Sequence, residues 1–169
     1  MTTSSLGTYF LLFFFLAAVA SVSSEDCSYT ILVKTGTVGS AGTNSKISAI
    51  LKDASGAQLS IPDLEKHGKM GSGHDYFEKG NLDTFIVPAT CLGSSVCSLT
   101  LSSDDKGSSS GWYVEFVQVL TTKGSSKAVG DDILFEIYGW LATSEPPYLL
   151  TRTFNRCSPS MLQQINAII

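Results

Sequence analysis

Two histidines, one glycine-flanked serine and four cysteines are the side chains here that could carry covalent or acid–base chemistry. His67 and His74 lie in the glycine-rich stretch from Leu64 to Asp75, with Ser72 between Gly71 and Gly73. A Ser-His-Asp set can be assembled from them on paper. A hydrolase elbow, however, needs Gly-x-Ser-x-Gly on a strand–turn–helix, and Ser72 lacks both the spacing and the context. A small hydrolase using Ser72, His67 or His74 is therefore the remote reading, and the expectation is no catalysis. Cys27, Cys91, Cys97 and Cys157 include no Cys-x-x-Cys pair, so a zinc site is disfavoured. An even number of cysteines in an exported chain reads as two disulfides, and four cysteines allow three pairings. The expected pairing is Cys91–Cys97, clipping one loop, with Cys27–Cys157 bracketing the domain and tying the first strand to the last.

Export is itself an expectation. From Tyr9 to Ala20 the chain is almost wholly apolar and then turns to small residues up to Ser24. That run is shorter than the roughly 20 residues a bilayer span needs, and it fits a cleaved signal over residues 1–24. No Lys or Arg precedes it, and an uncleaved membrane anchor is the competing reading. The chain is 169 residues long, so about 145 remain for a single core of ordinary domain size. Net charge is −4, with acids and bases interspersed, which excludes the concentrated basic footprint that nucleic acid requires.

The elements that must position these residues are strands. Tyr29, Ile31 and Val33 alternate with Thr30, Leu32 and Lys34, and Ile47, Ala49 and Leu51 alternate in turn. Leu59 and Ile61 form a short strand stopped by Pro62, and Leu64–Asp75 is a loop with one helical turn at its start. Thr84–Val87 is a strand ended by Pro88, and Ser98–Ser102 carries Leu99 and Leu101 inward. Trp112–Leu120 is apolar on both faces, as a central strand should be. Ile133–Leu141 and Tyr148–Phe154 complete about eight strands. With almost no helix, the expectation is all-β: one antiparallel sandwich over residues 25–157. Residues 158–169 form a short tail, either a helical turn or a frayed end.

One stretch stands out: Tyr76-Phe77-Glu78-Lys79-Gly80-Asn81-Leu82-Asp83-Thr84-Phe85. Two aromatic anchors flank a glycine and an asparagine, the residues that best tolerate a left-handed backbone, and Asp83 ties off the turn. This stretch resembles the signature of PLAT domains, the lipoxygenase, polycystin and alpha-toxin module. Tyr29–Gly36 with Ala41–Asn44 resembles the opening of such a domain. Asp104 with Gly111–Val119 resembles its Trp-Tyr strand, and Phe135–Ala142 its closing Trp-Leu-Ala strand. The four segments occur in the right order across roughly residues 27 to 157. A signal peptide, one lone domain and this cysteine set are similar to the small plant stress-associated PLAT proteins.

The resemblance implies a C2-like sandwich acting as a monomeric interaction module in the endoplasmic reticulum or outside the cell, without catalysis. It would bind a lipid surface or a protein partner, or serve an enzyme in trans as a soluble adaptor. Some PLAT domains bind calcium in loops at one end, and the matching positions here are Asn44, Asp83, Asp104 and Asp105. Many members carry an acid where this chain has Asn44, so one formal charge is missing. The competing reading is that Asn81 and Asp83 cap a turn while Asp104 and Asp105 are solvated. The apolar loop candidates for membrane contact are Val38, Ile61, Leu64 and Met70. Trp112, Tyr113, Phe135 and Trp140 fall within strands, and His67 and His74 are expected to face solvent.

Overall fold

A computed structural model describes residues 25–124 and 129–157. The expected signal segment, 1–24, and the C-terminal tail, 158–169, lie outside the described residues. Eight strands follow one another: β1 (Asp26–Thr35), β2 (Ile47–Asp53), β3 (Gln58–Ile61), β4 (Leu82–Thr90), β5 (Val96–Ser103), β6 (Trp112–Lys123), β7 (Val129–Leu141) and β8 (Thr151–Asn155). A single 3-10 turn, Glu65–His67, opens the long β3–β4 connection. The strands form two antiparallel four-stranded sheets, in the orders β4-β1-β6-β7 and β3-β2-β5-β8.

Alternation decides the core. Along β1 and β2 every second residue is buried, so Tyr29, Ile31 and Val33 face Ile47, Ala49 and Leu51 across the sandwich. β6 sits inside its sheet between β1 and β7, the central place expected of it. Val114, Val117 and Val119 point inward while Tyr113, Phe116 and Leu120 are half-buried on the other face. Trp112 is fully buried and its indole Nε1 donates to Thr35 Oγ1 at 3.0 Å, the partner a buried indole requires.

Most strands run longer than the sequence reading placed them, and two of the differing limits have a clear local cause. β4 runs through Pro88 to Thr90 because β4 is an edge strand, where a missing N–H costs no ladder bond. The last strand begins at Thr151 and not at Tyr148. Tyr148 has φ +62° and donates its N–H to Glu145 O at 2.7 Å, a turn rather than a ladder.

The cysteine pairing also differs. The disulfides are Cys27–Cys91 and Cys97–Cys157, each with Cα atoms 4.8 Å apart. The cause is which strands are neighbours. β1 pairs β4, with Cys27 opposite Ala89, and β5 pairs β8, with Ser98 opposite Asn155. First and last strands lie in different sheets, and Cys27 and Cys157 are each bridged to a cysteine at the neighbouring strand of their own sheet. Cys91 and Cys97 flank a connection that crosses from one sheet to the other. Each sheet thus carries one clip across an edge pair, and both clips lie at the same end.

Asp53 organises that end. It is buried, and its carboxylate accepts from Ser55 Oγ (2.7 Å), Ser94 N (3.0 Å), Ser55 N (2.9 Å) and Ala57 N (3.0 Å). Burial alone would raise its pKa; the hydrogen bonds from Ser55, Ser94 and Ala57 together outweigh it and hold the carboxyl below its usual value. A depressed folded-state pKa contributes stability that is present above the unfolded value and lost as pH falls through the folded one. Asp53→Asn is therefore expected to cost about 2 kcal/mol at neutral pH, with the gap to wild type closing below about pH 4. Urea midpoints across pH check this; a gap independent of pH would refute the linkage.

Candidate functional site

At the opposite end of the sandwich, where β1 finishes, four connections cross between the sheets: β1–β2, β3–β4, β5–β6 and β7–β8. The register places them together, because β6 begins beside Thr35, β7 ends beside Trp112, and both β2 and β8 begin beside the end of β5. This loop end is the candidate site.

The signature stretch builds its floor. Phe77 is buried with φ +61°, a left-handed backbone that a bulky residue adopts only when held. Its ring stacks on Phe85 at 5.4 Å and meets Trp112 edge-on at 5.2 Å. Its amide donates to Asp83 Oδ2 at 2.7 Å, and the other carboxylate oxygen takes His74 Nε2 at 2.6 Å. Asp83 is fully buried. Gly80, at φ +78°, takes the left-handed position the sequence suggests, with Lys34 Nζ donating to its carbonyl at 2.5 Å. His74 is not a free loop residue: its side chain is 24% exposed, bonded to Asp83 and set edge-on against Tyr76 at 4.7 Å. Its Nε2 is thereby engaged, and no hydrogen bond joins Ser72 to either histidine among the described residues.

The four residues named as calcium ligands separate. Asp83 lies fully buried beneath the loops, with Oδ2 bonded to Phe77 N and Oδ1 to His74 Nε2, apart from the other three. Asn44, Asp104 and Asp105 do lie on neighbouring loops. Asn44 N donates to Ser109 O at 3.0 Å, and its Oδ1 accepts from Ser108 Oγ at 3.3 Å. Asp104 Oδ1 accepts from the Lys46 and Lys106 amides at 3.0 and 3.2 Å. Asp105, at φ +55°, accepts from Thr143 Oγ1 at 3.2 Å through Oδ2, while its Oδ1 is buried with no donor. No group of three His, Cys, Asp or Glu is placed to hold a metal among the described residues.

The apolar loop residues divide as well. Ile61 and Leu64 are buried in the core, whereas Val38 and Met70 are exposed. Three more that the sequence reading left out join them: Leu82, Tyr148 and Leu149. Five of the seven exposed large hydrophobic residues described therefore sit at this one end; Leu134 and Tyr138, on β7, are the others. Of the strand aromatics, Trp112 and Phe135 are buried, but Tyr113 and Trp140 are only half-buried.

An antiparallel sandwich of this order, with the Phe77–Phe85 segment locked by a buried aspartate, defines a PLAT module. A model of the family described as embryo-specific protein 3 (ATS3) matches residues 15–139. PLAT domain-containing protein 1 of Arabidopsis thaliana is 39% identical, over 95% of this chain and 88% of its own length. PLAT domain-containing protein 2 of the same plant is 41% identical, over 90% and 84%. The chain belongs to the ATS3-type family of plant PLAT-domain proteins. Among solved structures, a coral 8R-lipoxygenase, described as calcium-activated through a C2-like domain, matches with TM-score 0.56 and 18% identity over 83% of this chain. The alpha-toxin of Clostridium absonum matches with TM-score 0.50 and 15% identity over 82%. This chain spans only 20% of the lipoxygenase and 33% of the toxin, and at these identities the likeness is one of fold. No helix among the described residues is long and apolar enough to cross a membrane.

Proposed function

We propose that the protein is a non-enzymatic, monomeric module of the secretory pathway that docks through its loop end onto a lipid surface and acts in plant stress responses. The observation that carries the reading is the gathering of Val38, Met70, Leu82, Tyr148 and Leu149, all exposed, at the end where the four crossing loops meet. These exposed apolar side chains share one end of the sandwich, spread from its β3–β4 side to its β7–β8 side, and support docking through that end. Two disulfides suit an oxidising compartment. In this reading calcium is an aid rather than a requirement. Asp105, whose Oδ1 lacks a donor, is the principal ligand, with Asn44 and Asp104 beside it and backbone carbonyls filling the oxygen shell that calcium prefers.

The second reading is an adaptor that holds a partner enzyme without lipid. It is favoured by the outer face of the β4-β1-β6-β7 sheet, where Leu32, Ile86, Phe116 and Leu120 are half-buried and Leu134 is exposed.

Co-sedimentation of the disulfide-bonded secreted protein with phosphatidylcholine and phosphatidylserine vesicles tests both, in calcium and in EDTA. Burying a large apolar side chain is worth roughly 1.5–3 kcal/mol, so Leu149→Ser is expected to weaken vesicle binding about tenfold or more. Asp105→Ala is expected to abolish whatever fraction EDTA removes. Absence of sedimentation with every vesicle would discard the lipid reading in favour of the adaptor, whose test is Phe116→Asp against enzyme capture.

A further inference from the structure

Beside the apolar tips lies a polar cleft of about 230 Å³, open between the β1–β2, β5–β6 and β7–β8 loops. Its base is Trp140 and its rim is Ser40, Ser108, Ser109, Ser144 and Glu145. Nothing in the lipid reading uses these residues. We propose that this cleft binds an uncharged hexopyranose, presented either by a soluble glycan or by a glycolipid headgroup.

The ring platform comes from strand register. Trp140 on β7 stands opposite Tyr113 on β6, whose ring meets the indole edge-on at 5.3 Å. Gly111 lies beside the indole: a Cβ there would touch Trp140 Cζ3 at 3.8 Å and crowd Ala142 Cβ at 3.3 Å. The face of an indole is electron-rich, and the axial C–H groups of a pyranose form an electropositive apolar patch of matching size. The rim supplies what the hydroxyls of such a ring need. The Ser40, Ser109 and Ser144 hydroxyls and the Glu145 carboxylate bond no other described residue; Ser108 Oγ donates to Asn44 Oδ1 and retains its acceptor capacity.

The cleft is built before any ligand arrives. Tyr113 N donates to Ala41 O at 2.9 Å, beside Ser40, which is held at φ +55°. Thr43 Oγ1 donates to Ser110 O at 3.1 Å, and Thr143 Oγ1 to Asp105 Oδ2 at 3.2 Å, so all three loops are tied together. Its volume falls below the roughly 300–1,000 Å³ of sites for drug-sized ligands, which suits a single ring. Ligand charge is decided by what is missing from the lining. No Lys or Arg contributes, so a phosphate, sulfate or uronate would meet Glu145 with no cation to offset it. A quaternary ammonium could sit over the indole, but it would leave the serine hydroxyls without partners.

The chain has two tryptophans, and Trp112 is fully buried, so a ligand-induced change in fluorescence reports on Trp140. The secreted protein is titrated with gluco- and galacto-oligosaccharides, with choline, and with phosphatidylcholine vesicles with and without digalactosyldiacylglycerol. A saturable change is expected with neutral sugar, weakened about tenfold in Glu145→Gln, whose exposed side chain holds no other residue. Trp140→Ala is expected to abolish binding, read by calorimetry, with Trp140→Phe restoring part of it to exclude loss of fold. Response to the glycolipid alone identifies the source as a headgroup, provided that it too is lost in Trp140→Ala. Leu149→Ser, which tests the lipid reading, is expected to leave soluble-sugar affinity unchanged, so the two proposals fail separately. Response only to choline, no response to any neutral sugar, or sugar binding indifferent to both Trp140→Ala and Glu145→Gln would overturn the proposal.

Discussion

Asp83→Ala is expected to lower folding stability by about 3–5 kcal/mol, because it removes a fully buried carboxylate on which two hydrogen bonds depend. Three losses coincide. His74 Nε2 loses its 2.6 Å partner, the Phe77 amide loses its 2.7 Å acceptor inside the core, and a cavity opens where a fully buried side chain stood. The Phe77 amide matters most, since that residue holds φ +61° and its ring joins Phe85 to Trp112. Without the carboxylate the strained backbone has less to hold it, and the aromatic trio loses its fixed register. Asp83→Asn keeps an oxygen for the Phe77 amide and is expected to cost about half as much. Urea unfolding of both variants gives the result. A loss under about 1 kcal/mol in Asp83→Ala, the scale of an exposed acid, would show that the network is not what holds the loop. Vesicle binding by the surviving folded fraction of Asp83→Asn should keep its calcium response, because Asp83 lies beneath the loops with both oxygens engaged. Loss of that response with the fold intact would return Asp83 to the metal.

What was legible in the sequence follows a rule about distance along the chain. Period-two alternation at Tyr29–Val33 and Ile47–Leu51 is local, and it placed those strands and their inward faces correctly. Trp112–Leu120, apolar on both faces though it includes Glu115 and Gln118, announced a strand inside a sheet, which β6 is. Turn chemistry around Gly80 was legible for the same reason. Asp83 was harder. An acid after Gly-Asn-Leu serves equally as turn cap or metal ligand, and only its burial and the approach of His74 decide between them. Phe77 was legible as an apolar anchor but its left-handed backbone was not, since no local rule puts a buried phenylalanine at positive φ. Tyr148 and Leu149 read as a strand start by composition. Their exposure at a loop depends on how β8 docks to β5, which the residues themselves do not encode.

The disulfides give the sharpest case and the second large prediction. Sequence proximity favoured Cys91–Cys97, but the β4–β5 connection changes sheets, so proximity in sequence became separation in space. The observed bridges span 64 and 60 residues, and chain-entropy arguments then give each about 4 kcal/mol, nearly equal. The expected pairing would have been lopsided, with about 5 kcal/mol for the domain-spanning bridge and about 2 for the small loop. Stability therefore distinguishes the two connectivities. Cys27→Ser/Cys91→Ser and Cys97→Ser/Cys157→Ser are each expected to lose about 4 kcal/mol while retaining one intact bridge, as thiol counts and urea midpoints will show. The alternative double variant, Cys91→Ser/Cys97→Ser, breaks both native bridges and should fall furthest, leaving Cys27 and Cys157 as free thiols in different sheets. If that variant instead kept a disulfide and most of its stability, the pairing of Cys27 with Cys91 and of Cys97 with Cys157 would itself be wrong.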